Sequence, residues 1–278
     1  MSGAVLAAVL CAALMHAGWN AMVKARGDAF LSTVTVAASA GILCALALPF
    51  LPQPAQASWP FILASGLAQV LYYALLMETY REGDISHAYP LMRGCAPLIV
   101  AVLGLPFTGE RLAAMQWLAI GLICGGVLTM VAAVRGTAPN ARRTTLLALA
   151  TACVIAAYTL IDGIGVRKSG APAAYTLWIF LLTAIGVLLL ARRRRGELLP
   201  FVRRHPVLLG GGAMTVGSYG VALWAMTQAP VATVAALRET SILFANAIAL
   251  LVLRERVGPL RLLGAALIAC GAAAMRLG

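Results

Sequence analysis

Charge is scarce in this sequence, and acidic charge scarcest of all. Only 11% of its 278 residues are Asp, Glu, Lys or Arg, and nine of those are acidic. A water-soluble domain carries about 25% charged residues, so water is not the main solvent of this chain. Paired cysteine spacing is also missing. The six cysteines (Cys11, Cys44, Cys95, Cys124, Cys153 and Cys270) all fall inside apolar runs, which argues against a disulfide framework or a redox motif and reads them as small buried groups. His16 has no second His or Cys at ligand spacing, so neither a metal nor a cofactor is expected. There is no HExxH, Ser/His or paired-acid arrangement, and the chain is not expected to be an enzyme. The ten-residue alternation of a membrane β-barrel is absent too.

Long apolar runs take the place of all these. The chain is 62% hydrophobic, with a mean hydropathy of +0.92. Runs of roughly 20 residues suffice to cross the hydrocarbon core as helices, and a helix satisfies its own backbone in lipid. Ten such spans are expected: Ala4–Val23, Phe30–Phe50, Trp59–Met77, Ile85–Phe107, Leu112–Val134, Thr145–Ile164, Ala173–Leu190, Val207–Met226, Val231–Leu253 and Pro259–Met275. The first run lacks the basic start and small-residue cleavage site of a signal peptide, and is read as a mature helix. The expected class is an all-α membrane protein.

The formal charge of +12 reads as orientation rather than as nucleic-acid binding. Fifteen basic residues lie in or beside the loops after odd-numbered spans: Lys24, Arg26, Arg81, Arg135, Arg142, Arg143, Arg192 to Arg195, Arg203, Arg204, Arg254, Arg256 and Arg261. Arg111, Arg167, Lys168 and Arg276 lie on the other side. Cytoplasmic loops retain Lys and Arg, so both termini are expected outside, in the periplasm. The Arg192–Arg195 run is a retention signal on the simplest reading; contact with anionic lipid headgroups is the second.

The sequence also repeats itself. A shift of 145 residues lays Arg93 on Arg238, Glu110 on Glu255, Arg111 on Arg256 and Gly126 on Gly271. A shift of 142 lays His16 on Tyr158 and Asn20 on Asp162, and one of 146 lays Tyr73 on Tyr219. Two five-span repeats, residues 1–134 and 143–278, are then joined by a basic linker, residues 135–142. Five is odd, so the second repeat enters the membrane from the opposite side. Inverted repeats are a plan of secondary transporters, with the solute site near the midplane between them.

Arg93 and Arg238 lie deep in spans 4 and 9, where a charge costs about 2.5–3.5 kcal/mol even on insertion scales. As a pair they suggest a clamp for an anionic group, since guanidinium forks bind carboxylate and phosphate bidentately. Internal ion pairs with Asp162 or Glu239 are the competing reading. Asp162 and Tyr158 form an i, i+4 stripe on span 6, matched by His16 and Asn20 on span 1. Three roles stay open for Asp162: holding a solute amine, carrying a coupling proton, or neutralising an arginine. Glu239 and Glu78 are further charge partners, Glu78 at the interface. Trp19, Tyr72, Tyr73, Tyr89 and Tyr219 are expected around the cavity; Trp59, Trp117 and Trp178 are expected as interfacial anchors. Pro90 and Pro97 predict a kinked, interrupted span 4, and Gly121-x-x-x-Gly125 predicts a close helix contact.

These residues resemble a family. HAGWNAMVK at 16–24, YPLMRG at 89–94, AYTLIDGIG at 157–165 and WAMTQAPVATVAALRETS at 224–241, with the turns Gly109-Glu110-Arg111 and Arg254-Glu255-Arg256, are similar to EamA-type transporters of the drug/metabolite transporter superfamily. The resemblance implies a secondary transporter without ATP, more often an exporter of metabolites or amino acids. One feature departs from the pattern: members commonly carry a basic loop between spans 2 and 3, and Leu51 to Ser58 has no charge. The expected function is alternating-access movement of a small polar solute with an anionic group, such as an amino acid or organic phosphonate, across a bacterial inner membrane. A lipid-headgroup flippase or membrane-lipid binder is the second reading. Membrane lipids and the solute are the expected partners, proton coupling is open, and the oligomeric state is unassigned.

Overall fold

A computed structural model describes residues 1–26, 28–82, 85–132, 141–251 and 258–277. Those residues contain twelve α-helices and no strand: α1 (Gly3–Lys24), α2 (Ala29–Ala47), α3 (Trp59–Glu82), α4 (Ile85–Thr108), α5 (Ala114–Ala132), α6 (Ala141–Ser169), α7 (Pro172–Leu190), α8 (Arg195–Arg204), α9 (Leu208–Met226), α10 (Val231–Arg238), α11 (Ser241–Leu251) and α12 (Pro259–Leu277). The linker residues 135–140, and Arg254, Glu255 and Arg256 with the end of span 9, lie outside the described residues.

Among the described residues, eight helical stretches are long and apolar enough to cross a membrane, and α5 is apolar but shorter. α9 is 19 residues long. It is not among the eight, because Gly210, Gly211, Gly212, Gly217 and Gly220 dilute it. The chain is thus a multi-pass helical membrane protein. Its polar backbone ends are closed locally. Ser2 and Asp28 cap α1 and α2 by accepting from the Val5 and Leu31 amides at 3.3 and 2.9 Å, which satisfies donors that a helix start leaves free. After α4, Gly109 adopts φ 71° and its amide bonds Leu105 O at 3.0 Å. A residue with a Cβ enters that left-handed turn only at a cost.

Helices from the first and second halves of the chain pack against each other: α1 on α9, α3 on α6, α2 on α7, and α5 on α12. The α5–α12 seam is tight and reciprocal. A Cβ on Gly126 would lie 2.6 Å from Gly264 O and 2.8 Å from Ile268; a Cβ on Gly271 would lie 2.8 Å from Ala119 O and 2.6 Å from Ile123. The earlier residue on one helix meets the later one on the other, so α5 and α12 run antiparallel. Gly121 and Gly125, expected at a close contact, have nothing within 4 Å of a Cβ position among the described residues. Gly126, one residue and about 100° further round the helix, takes that role.

Three further expectations are corrected. α4 is continuous from Ile85 to Thr108 although Pro90, Pro97 and Pro106 lie inside it. The interruption falls instead in the proline-free span 9, between α10 and α11. There the amides of Glu239, Thr240, Ile242 and Leu243 bond three residues back, and Thr240 Oγ1 donates to Leu237 O at 2.7 Å. A tightened turn of that kind ends one helix and starts the next. The basic connection between spans 7 and 8, expected as a loop, contains the amphipathic α8.

Among the described residues, basic connections meet in pairs at helix ends. Arg194, just before α8, reaches Asp28 at the start of α2 at 2.8 Å, and Arg143 at the start of α6 reaches Glu78 near the end of α3 at 3.2 Å. A second polar knot ties the turn after α4 to the far end of α6. Arg167 binds Glu110 and also donates to Met226 O and Ala229 O at 2.7 and 3.0 Å. Glu110 accepts from the Val231 amide at 2.9 Å. That bond satisfies the first donor of α10, which follows Pro230.

Candidate functional site

The break after α10 sets up the site. Arg238 ends α10 and Glu239 caps it, both buried. Glu239 points across to α4, where Arg93 Nε donates to Glu239 Oε2 at 2.9 Å. This is one of the ion pairs considered from sequence, and it leaves Arg93 incompletely used. Arg93 Nη2 is buried with no hydrogen-bond partner among the described residues. Arg238 makes no ion pair or hydrogen bond there; its Cζ lies over the Tyr219 ring, 4.8 Å from the centroid. A cation on an aromatic face keeps part of its stabilisation without giving up its donors.

Both guanidiniums line one cavity. His16 and Trp19 from α1, Gln69, Tyr72 and Tyr73 from α3, Tyr158 from α6, Phe180 from α7, and Thr215 and Tyr219 from α9 complete it. An adjoining compartment shares His16, Trp19, Tyr72 and Arg93 and adds Asn20, Thr33 and Tyr89. The rings form a chain of edge-to-face contacts: Tyr72 with Tyr158 at 6.0 Å, Tyr158 with Tyr219 at 6.2 Å, and Phe180 with Tyr219 at 6.0 Å. Such pairs add about 0.5–1.5 kcal/mol each beyond the area they bury. His16 Nδ1 accepts from Trp19 Nε1 at 3.3 Å, and Asn20 Nδ2 donates to His16 O at 2.8 Å.

Asp162 sits behind this wall, fully buried. It accepts from Tyr219 at 2.6 Å and Tyr175 at 3.1 Å. No arginine bonds it among the described residues, so the neutralising partner of Arg93 is Glu239 and not Asp162. Tyr219 joins the two parts of the site: its hydroxyl holds the carboxylate and its ring carries Arg238. Glu78 is elsewhere, with Arg143 at the bundle end.

Of the residues expected from sequence, Arg93, Arg238, Tyr158, Trp19 and His16 line the main cavity, Asn20 and Tyr89 the adjoining one, and Asp162 and Glu239 stand behind as partners. Gln69, Thr215 and Phe180 were not foreseen. Gln69 had a visible signal, a polar amide within an apolar run, and it bonds Ser65 Oγ at 3.3 Å and Thr183 Oγ1 at 3.4 Å. Thr215 and Phe180 carry no such signal, because a helix buries threonine and phenylalanine without functional need.

Comparison with known proteins agrees with this architecture. Residues 1–132 and 142–277 match the profile of the EamA-like transporter family. A protein of Sinorhizobium sp. named "Uncharacterized transporter in cobO 3'region" is 32% identical over 73 residues, spanning 26% of this chain and about half, 51%, of that relative. A solved crystal structure superposes with a TM-score of 0.78 at 19% identity, covering 100% of this chain and 98% of that one. At that identity the likeness speaks for the fold alone.

Proposed function

The chain belongs to the EamA-like transporter family, and from that premise we propose that it moves a small polar solute bearing an anionic group by alternating access. The observation that carries the reading is the pair of underused guanidiniums, Arg93 with its unpartnered Nη2 and Arg238 on an aromatic face, both residues lining one aromatic-walled cavity from different repeats. A buried cation without a full set of partners is costly, and a carboxylate, phosphonate or phosphate supplies what is missing in fork geometry. Amino acids and organic phosphonates fit that description, and export is the direction implied by the family resemblance. Asp162, held by two tyrosines beside the cavity, is the residue for a coupled proton.

The plan is ten spans in two inverted repeats, residues 1–134 and 143–278, in a bacterial inner membrane. The α5–α12 seam supports it. The contacts of Gly126 with Gly264 and Ile268 become those of Gly271 with Ala119 and Ile123 under the same 145-residue shift. A reciprocal contact between antiparallel equivalents is what a two-fold axis in the membrane plane produces. The basic end faces the cytoplasm and the termini the outside; a reporter fused after Gly278 that works only in the cytoplasm would reverse this orientation.

The test is uptake into proteoliposomes of solutes grouped by charge. Solutes with an anionic group should be carried by the wild type and lost with Arg238→Gln. Arg238→Lys should restore little, since an ammonium lacks the planar fork. Transport confined to neutral or cationic solutes would sink the reading. Movement of labelled phospholipid between leaflets would turn it to headgroup flipping.

A further inference from the structure

The basic connection between α7 and α9 is not uniform. In the run Arg192–Arg195 only Arg194 is engaged within the protein: it binds Asp28 and Glu197 at 2.8 and 2.6 Å and lies over the Phe30 ring at 5.2 Å. Arg192, Arg193, Arg195, Arg203 and Arg204 are exposed and make no ion pair or hydrogen bond among the described residues. Arg26, two residues before Asp28, is exposed in the same way and lies on the same side through the Arg194–Asp28 contact. Glu197, the acid within this connection, is already taken by Arg194.

α8 holds these arginines at the surface of the bundle. Its ten residues pack inward through Leu198 and Phe201, the latter against the cluster of Trp19, Val36 and Leu208 from α1, α2 and α9. The His205 ring covers Phe201 at 4.7 Å. Leu199 points away from the bundle, 59% exposed beside the free arginines. An exposed leucine flanked by unpaired guanidiniums, at the level where spanning helices end, matches a surface of phosphate and glycerol over acyl chain.

We propose that α8 and its flanking arginines form a binding surface for anionic phospholipid headgroups, with Arg194 as the structural anchor and Arg192, Arg193, Arg203 and Arg204 as the phosphate-binding residues. The ligand class is a lipid phosphate diester bearing net negative charge, as in phosphatidylglycerol. Topological retention alone needs these charges during insertion. Headgroup binding needs them in the finished protein, and that difference can be measured.

The experiment uses the full chain in nanodiscs of phosphatidylcholine alone and of a phosphatidylcholine–phosphatidylglycerol mixture. The readouts are melting temperature and the phosphatidylglycerol retained on purification. Wild type should melt higher in the anionic discs, and high salt should erase the gain, since the Debye length falls to about 3 Å at 1 M. Replacing Arg192, Arg193, Arg203 and Arg204 by Gln should lower phosphatidylglycerol retention more than about ten-fold, each arginine near an anionic surface being worth about five-fold in binding. Replacing the same four by Lys should keep both effects and shows that charge is the cause. Arg194→Gln should lower the melting temperature equally in both discs. A Gln variant that retains phosphatidylglycerol like wild type, or a wild-type gain that survives high salt, would overturn the proposal. So would an equal gain in phosphatidylcholine discs from soluble glycerol 3-phosphate, which would make the site one for free phosphate. If the Gln variant fails to fold, the salt titration of the wild type and the Lys variant still decide.

Discussion

Arg93 and Glu239 stand 146 positions apart and meet as a buried ion pair, Nε to Oε2 at 2.9 Å, that joins the proline-bearing α4 to the break between α10 and α11. Removing one member of such a pair strands the other charge, at a cost of about 3–5 kcal/mol. Arg93→Ala should therefore lower the thermal stability of the purified protein by that order. Adding Glu239→Gln should restore much of the stability without restoring solute binding, because the guanidinium is gone. A double variant that recovers both stability and transport would make Arg93 scaffolding only.

The glycine seam makes a sharper structural prediction. Gly126→Val and Gly271→Val should each destabilise by about 1–3 kcal/mol through overpacking, because a Cβ there falls 2.6 to 2.8 Å from Gly264 O or Ala119 O. Gly121→Ala, on an open face of the same helix, should melt like wild type. Similar melting temperatures for all three variants would mean that α5 and α12 are not packed in this register.

Acid should act at the basic end of the bundle. Burial alone would raise the Asp28 carboxyl. The Leu31 amide and the Arg194 guanidinium outweigh it and hold the group below its ordinary value. A carboxyl depressed in the fold contributes stability that is fully present above its unfolded value of about 3.9. That stability is lost as pH falls through the lower folded value. Melting curves should show wild type losing stability relative to Asp28→Asn as the pH drops through about 4 and below. The size should be about 1 kcal/mol or less, as expected of a partly exposed pair. Parallel pH profiles for the two proteins would contradict the assignment.

Much of this was legible beforehand because lipid leaves a chain few choices. Apolar runs of spanning length must be helices, so α1, α2, α4 and α7 begin and end within a few residues of expectation. Intramembrane charge is costly enough to be functional or paired, which singled out Arg93, Arg238, Asp162 and Glu239. Other features were not legible. The break after Arg238 carries no proline or glycine; it coincides with Glu239 meeting Arg93 and with Thr240 bonding Leu237 O. Prolines misled at α4, where neighbouring helices tolerate them.

By itself, then, the amino-acid order determined the helical class and the residues on which charge had to be buried, because hydrophobicity and desolvation act locally and are written in residue type. Tertiary structure alone decided which charge met which. It gave Arg93 to Glu239 and Asp162 to Tyr175 and Tyr219, and it left Arg238 on an aromatic face. Partner choice depends on distances of a few ångströms between helices far apart in sequence, and periodicity within one helix holds no information about them.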